Sequence, residues 1–221
     1  MAFINQLETT FQTHENKENS LAMAKYMKNH FAFYGIKTTE RRLLFKEIWN
    51  ANKDEIQNDV QNIATSLYTK KQRELHYCAI EIVIRECKGN YKKSDIDFIE
   101  KLLTTNSWWD SVDTISKYIL GQYLLEFPDA VEDTIEKFSN SDNLWLNRSV
   151  ILFQLGFKEK TDFDLLKAIC LQHENSTEFF IQKAIGWSLR EYAKTNPHQV
   201  IDFVTHSNLK PLSKKEAVKN L

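Results

Sequence analysis

Glycine and proline are scarce, five and three in 221 residues. So few breaks exclude a fold of many short strands and turns, and they favour helices. Cysteine is scarce as well. Cys78, Cys87 and Cys170 have no CxxC spacing and read as buried thiols of a reducing compartment rather than a disulfide framework. The six histidines, at 14, 30, 76, 173, 198 and 206, never fall at metal-ligand spacing, so neither a metal site nor a cofactor is expected. No run approaches about 18 apolar residues, and none at the start of the chain resembles a signal peptide. A soluble, cytoplasmic monomer with no membrane partner is therefore expected. Net charge is also missing: the formal value is −1, which by itself argues against a nucleic-acid binder.

What is present is apolar periodicity. Hydrophobic residues make up 42% of the chain, ample for a real core, and a single domain over 1–221 is expected. The pattern predicts helices near 2–14, 18–32, 38–51, 53–68, 70–88, 93–105, 108–125, 128–139, 142–156, 162–173, 176–194, 197–206 and 212–220. Asp142 and Thr161 are the expected caps of two of them. Helix pairs recur roughly every 35 residues, the range of HEAT-type arrays. The repeat is one of pattern, without sequence identity between units.

Three segments carry chemistry. In NSWWDSVD, at 106–113, Trp109 and Asp113 are four apart and share a helical face. A core Trp beside a helix-capping Asp would explain this as well as a site would. In FFIQKAIGWSLREYAK, at 179–194, Ile181, Ala184, Ile185, Ser188, Leu189 and Tyr192 form the inner face. Trp187 lies about 120° away, among Lys183, Arg190 and Lys194. Such a stripe is either a solvated face or a surface for a nucleic-acid backbone. In DNLWLNRSVILFQLGF, at 142–157, Arg148 rises from the apolar side with Leu144, Ile151, Leu152 and Leu155. It must meet a carboxylate, solvent or an anionic ligand, because a buried charge without its partner costs about 3–5 kcal/mol.

These strings, together with AKYMKNHFAFYGIKTTERR at 24–42, resemble the AlkD family of DNA alkylation repair glycosylases. The matching pieces span most of the chain in consistent order. KTTERR and LNRSV are the less typical parts. The resemblance implies an all-α superhelical solenoid of antiparallel HEAT-like helix pairs with a concave DNA-binding face. It implies excision of alkylated purines from duplex DNA, with the base left stacked and the sugar side attacked. It also implies Asp113, Trp109 and Trp187 as the catalytic set. Tyr26, Lys37, Thr38, Arg148, Lys183, Arg190 and Lys194 would contact DNA. For Tyr26, periodicity alone points instead to a core tyrosine.

Charge distribution bears on that partner. Residues 21–47 carry a balance of +4 and residues 187–221 a balance of +3, with acidic residues gathered elsewhere. Alkylation of a purine ring nitrogen makes the base cationic and a good leaving group. Breaking its glycosidic bond builds oxocarbenium-like charge on the sugar, which a carboxylate stabilises. Tryptophan faces also favour a cation. No lysine sits in a context suited to lyase chemistry, so monofunctional excision of 7-methylguanine and 3-methyladenine is expected. Two alternatives differ in class: a DNA-binding paralogue that does not excise bases, and a protein-interaction scaffold, the usual role of helical repeats.

Overall fold

In the computed structural model, which describes residues 1–219, the spacing of apolar residues builds the elements from the first turn. Helix α1 (Ala2–Thr13) carries Phe3, Ile4, Leu7 and Phe11 at three- and four-residue steps, and all four are buried. Contacts divide the chain into two compact units, Met1–Asn90 and Tyr91 onward. Among the described residues every named element is helical, and the only β feature is an isolated bridge between Ala32 and Gln72. No helix among them is long and apolar enough to cross a membrane.

The first unit continues through α2 (Lys17–Tyr26), α3 (Thr38–Ala51), α4 (Lys53–Asn58), α5 (Val60–Tyr68) and α6 (Arg73–Glu86). Helix α2 buries none of its residues and starts where the Asn16 side chain accepts the Asn19 N–H at 2.9 Å. The helix expected over 18–32 stops at Tyr26, because Lys28 (φ 56°) and Asn29 (φ 60°) take the left-handed conformation. Beyond them the chain is irregular through Ile36. Its aromatic and β-branched side chains, Phe33, Tyr34 and Ile36, are buried there instead of on a helix. The helix expected over 53–68 is likewise two, broken at Asp59 (φ −147°).

The second unit holds α7 (Asp95–Thr104), α8 (Trp109–Ile115), a π-helical segment (Ser116–Leu120), α9 (Gly121–Glu126), a 3-10 turn (Pro128–Ala130), α10 (Val131–Ser139) and α11 (Leu144–Leu152). A second 3-10 turn (Lys158–Lys160), α12 (Phe163–Gln172), α13 (Phe179–Ala193), α14 (Pro197–His206) and α15 (Pro211–Ala217) follow. The last helix was expected over 212–220; residue 220 lies outside the described residues. The caps fall one residue later than expected. Asn143, not Asp142, accepts from Trp145 and Leu146, and Asp162, not Thr161, accepts from Leu165. In both cases the side chain one position nearer the helix reaches the open N–H groups of the first turn.

Helix α11 packs against both α8 and α13, and α13 packs closely on α15. The last contact is backbone-close: a Cβ on Gly186 would meet Glu216 Cβ at 2.3 Å and the Ser213 carbonyl at 2.9 Å. The three cysteines are buried, and burial pushes the Cys78 and Cys170 thiols up to about 12, so neither is a nucleophile at neutral pH.

Candidate active site

Asn106 (φ 47°) turns the chain into α8, and the Ser107 hydroxyl donates to the Leu103 carbonyl at 2.6 Å. Trp109 takes the first helical position and Asp113 follows one turn later, so both project from one face. The two adjacent tryptophans then part company. Trp108 sits on extended backbone before the helix, and its ring lies 5.6 Å from Trp145 and 5.3 Å from Phe180. Trp145 and Phe180 are themselves 5.2 Å apart, which closes a three-ring cluster. Trp109 stays half-buried on the Asp113 face.

Arg148 of α11 is 5% exposed, on the apolar side where the spacing put it. Its Nε donates to Asp113 Oδ1 at 2.7 Å and its Nη2 to Oδ2 at 3.0 Å, a bidentate clamp. Its Nη1 donates to the Phe180 carbonyl, and the guanidinium lies 5.8 Å from the Phe180 ring. Arg148 thus joins α8, α11 and α13. Of the three partners open to it in the sequence, the structure gives it a carboxylate. Every guanidinium nitrogen makes a hydrogen bond inside the protein.

Burial pushes the Asp113 carboxyl above its ordinary value, Arg148 pulls it back, and Asp110 adds to the rise. A carboxylate has about four lone-pair sites, and the clamp occupies two. The remainder face what reaches a side chain that is 14% exposed.

Phe180 also begins the face of α13 that carries other candidates. Phe180, Lys183, Trp187 and Arg190 follow at steps of three, four and three along one face of α13. Trp187, half-buried, is two turns from Phe180, about 10 Å along the axis. The cations around it are not open. Lys183 Nζ and Arg190 Nη1 each lie 2.9 Å from Glu216, on separate oxygens, and Arg190 also donates to the Glu216 carbonyl at 3.0 Å. Lys194 pairs with Glu191 at 2.6 Å. The expected basic stripe is therefore largely an interhelix clamp onto α15. Glu216 was invisible as a partner because it lies 26 residues beyond Arg190.

The three remaining candidates belong to the first unit. Tyr26 ends α2 at 68% exposure, which corrects its periodicity-based placement in the core: α2 has no buried face for it to join. Lys37 precedes α3 and Thr38 is its first residue, and both are exposed. Linear reading missed Phe180, Trp145 and Glu216. For Trp145 a signal existed, since it lies three residues before Arg148 on the same helix.

An all-helical protein that buries an arginine-clamped carboxylate beside tryptophans is a distinct class, and its sequence places it in a family. A profile of the DNA alkylation repair enzyme family matches residues 7–221, and the chain belongs to that family. Its fold resembles the solved structure described as a predicted DNA alkylation repair enzyme from Enterococcus faecalis. The two are 33% identical, with a TM-score of 0.85 over 94% of this chain and 96% of that one. No curated protein matches. Membership assigns the chain to repair of alkylated DNA.

Proposed function

We propose that the chain is a monofunctional DNA glycosylase of AlkD type. It excises cationic alkylated purines, 7-methylguanine and 3-methyladenine, from duplex DNA without flipping the base, and acts as a cytoplasmic monomer. The observation that carries this reading is the Asp113–Arg148 clamp beside Trp109. A scaffold has no use for an arginine-clamped, largely covered carboxylate on the same helical face as a half-buried tryptophan.

The chemistry follows from the geometry. Arg148 fixes Asp113 in place and favours its ionised form against the burial that opposes it. The free lone pairs of Asp113 then stabilise the positive charge that develops on the deoxyribose, and they orient the attacking water. Preorganisation matters here, because a carboxylate fixed before the reaction needs no rearrangement as charge builds. The Trp109 and Trp187 faces add favourable contact with the sugar cation. A cationic base leaves without acid assistance, so no general acid is required.

Incubation with methylated duplex DNA and measurement of free methylpurine tests this reading. Release of 7-methylguanine and 3-methyladenine is expected, with none of the uncharged hypoxanthine or ethenoadenine. Trp109→Ala and Trp187→Ala should each slow release. Rates for one lesion opposite matched and mismatched partners should be similar. A flipping enzyme gains from a mismatch, which removes a few kcal/mol of extrusion cost, so strong mismatch acceleration would refute the mechanism. Binding without release would favour the non-excising paralogue, and no binding would favour a scaffold.

A further inference from the structure

Glu74 is the second residue of α6 and is fully buried. Its carboxylate accepts three successive backbone N–H groups, from Tyr34 at 3.1 Å, Gly35 at 2.9 Å and Ile36 at 3.2 Å. Burial of a carboxylate is costly unless its oxygens are hydrogen-bonded, and here they are used on a loop. The same loop is held from other sides. Asn16 N–H donates to the Tyr34 carbonyl at 2.9 Å, Ser20 Oγ to Phe33 at 2.7 Å, and Arg73 N–H to Ala32 at 2.9 Å. Gly35 (φ +88°) comes so close to Asn16 that a Cβ would stand 2.1 Å from its carbonyl oxygen. Ile36, 1% exposed, anchors the end of the loop.

The next residues are the opposite. Lys37, Thr38, Thr39 and Glu40 are all exposed, and α3 begins with no side-chain cap. The first-turn N–H groups of a helix are open donors with partial positive charge. A rigidly fixed loop therefore delivers one lysine, one hydroxyl and an uncapped helix start to solvent.

We infer that Glu74 is a positioning residue for DNA binding. It clamps the 34–36 backbone so that Lys37 and Thr38 meet a phosphate of the duplex already in place, without ordering on contact. The inference rests on the proposed DNA-repair reading and assigns Glu74 no chemistry.

Single-turnover excision of 7-methylguanine, measured over a range of protein concentrations, separates the half-saturating concentration from the saturating rate. Glu74→Gln should raise the half-saturating concentration about tenfold, leave the saturating rate unchanged, and lower the log–log salt slope by about one. Lys37→Ala should weaken half-saturation similarly, and the double variant should be no worse than either single one. Ser20→Ala, a milder loss from the same loop, should move half-saturation in the same direction and be non-additive with Lys37→Ala; it carries the test if Glu74→Gln does not fold. Three results would overturn the inference: unchanged half-saturation in folded Glu74→Gln, additivity with Lys37→Ala, or a lower saturating rate at constant half-saturation, as loss of active protein would give. If the wild-type chain binds no duplex DNA, the parent reading fails first and takes this inference with it.

Discussion

Asp113 and Glu216 are both clamped by arginine in the second unit, and their side chains are similarly covered, 14% and 12% exposed. Their acidities nevertheless move in opposite directions. Glu216 has two cations, Lys183 and Arg190, and is held down at about 2. Asp113 has one cation, and a second carboxylate, Asp110, nearby; burial outweighs the clamp and its value rises. The difference is one of burial as much as charge: desolvation is the largest influence on Asp113, and the two cations are the largest on Glu216. Glu216 is neutralised in excess and is finished electrostatically, a tie between α13 and α15. Asp113 is paired with one cation only, and the proposed mechanism brings a second to it, the developing sugar cation.

The largest expected effect separates the two roles. Asp113→Asn should cut single-turnover excision by roughly two to four orders of magnitude, about 3–5 kcal/mol. Glu216→Gln should leave the rate of folded protein within about threefold, since it removes a strut rather than the charge at the reacting centre. A Glu216→Gln rate loss as large as that of Asp113→Asn, with folding intact, would erase the distinction. The Asp113→Asn substitution also leaves the Arg148 charge buried beside an amide. A lower melting temperature should accompany the rate loss, and urea denaturation of both variants gives its size.

Arg148→Ala should act on stability and rate together. Removing the cation strands Asp113 without its partner, and breaking a buried pair costs about 3–5 kcal/mol. Where the variant still folds, its acid limb of activity should shift to higher pH, because the influence lowering the Asp113 value is gone. A pH–rate profile with an unmoved acid limb would mean that the ionisation of Asp113 does not depend on the clamp.

How much of this was legible depends on distance along the chain. The register that lifts Arg148 into the apolar side needs only neighbours within a few turns, and the spacing of Leu144, Ile151, Leu152 and Leu155 displays it. Pairing of Trp109 with Asp113 is equally local. The partner of Arg148 lies 35 residues away and that of Arg190 lies 26 away, so the choice among carboxylate, solvent and phosphate was open until the helices packed. The cations around Trp187 looked free because Glu216 belongs to another helix. Helix ends failed for a different reason. Lys28 gives no signal for a stop, and Asn29, a residue that tolerates the left-handed conformation, gives only a weak one; the turn they make precedes the buried Phe33, Tyr34 and Ile36. The π-helical segment after Ile115 has no sequence signal that we recognise.

Acid should reveal the same contrast more gently. Glu216 has a folded value of about 2, below the ordinary 4.5, so its stabilisation is present above pH about 4.5 and fades as pH falls toward 2. After discounting for solvent screening around Lys183 and Arg190, on the order of 1–2 kcal/mol is expected. The Asp113 shift has the opposite sign: its ionisation opposes folding, and acid relieves that cost. Melting temperatures between pH 5 and about 2.5 should therefore fall less steeply in Glu216→Gln than in wild type. Parallel curves would mean that Glu216 carries no special acid sensitivity.

The smallest effect tests the cations themselves. Lys183 and Arg190 share Glu216, and their side chains are 35% and 26% exposed; Lys194 holds only Glu191, and its own side chain is 69% exposed. An exposed pair three residues apart contributes well under about 1 kcal/mol, so Lys194 is released to a phosphate at little cost. Breaking the Glu216 clamp costs more, and a phosphate must compete with a carboxylate that has already desolvated both cations. Lys194→Ala should leave the melting temperature unchanged and lower the log–log salt slope of DNA binding by about one. Lys183→Ala should do the reverse, lowering the melting temperature while moving the slope little. If Lys183→Ala lowers the slope as much as Lys194→Ala does, the Glu216 clamp opens on DNA, and the stripe is a phosphate-binding surface after all.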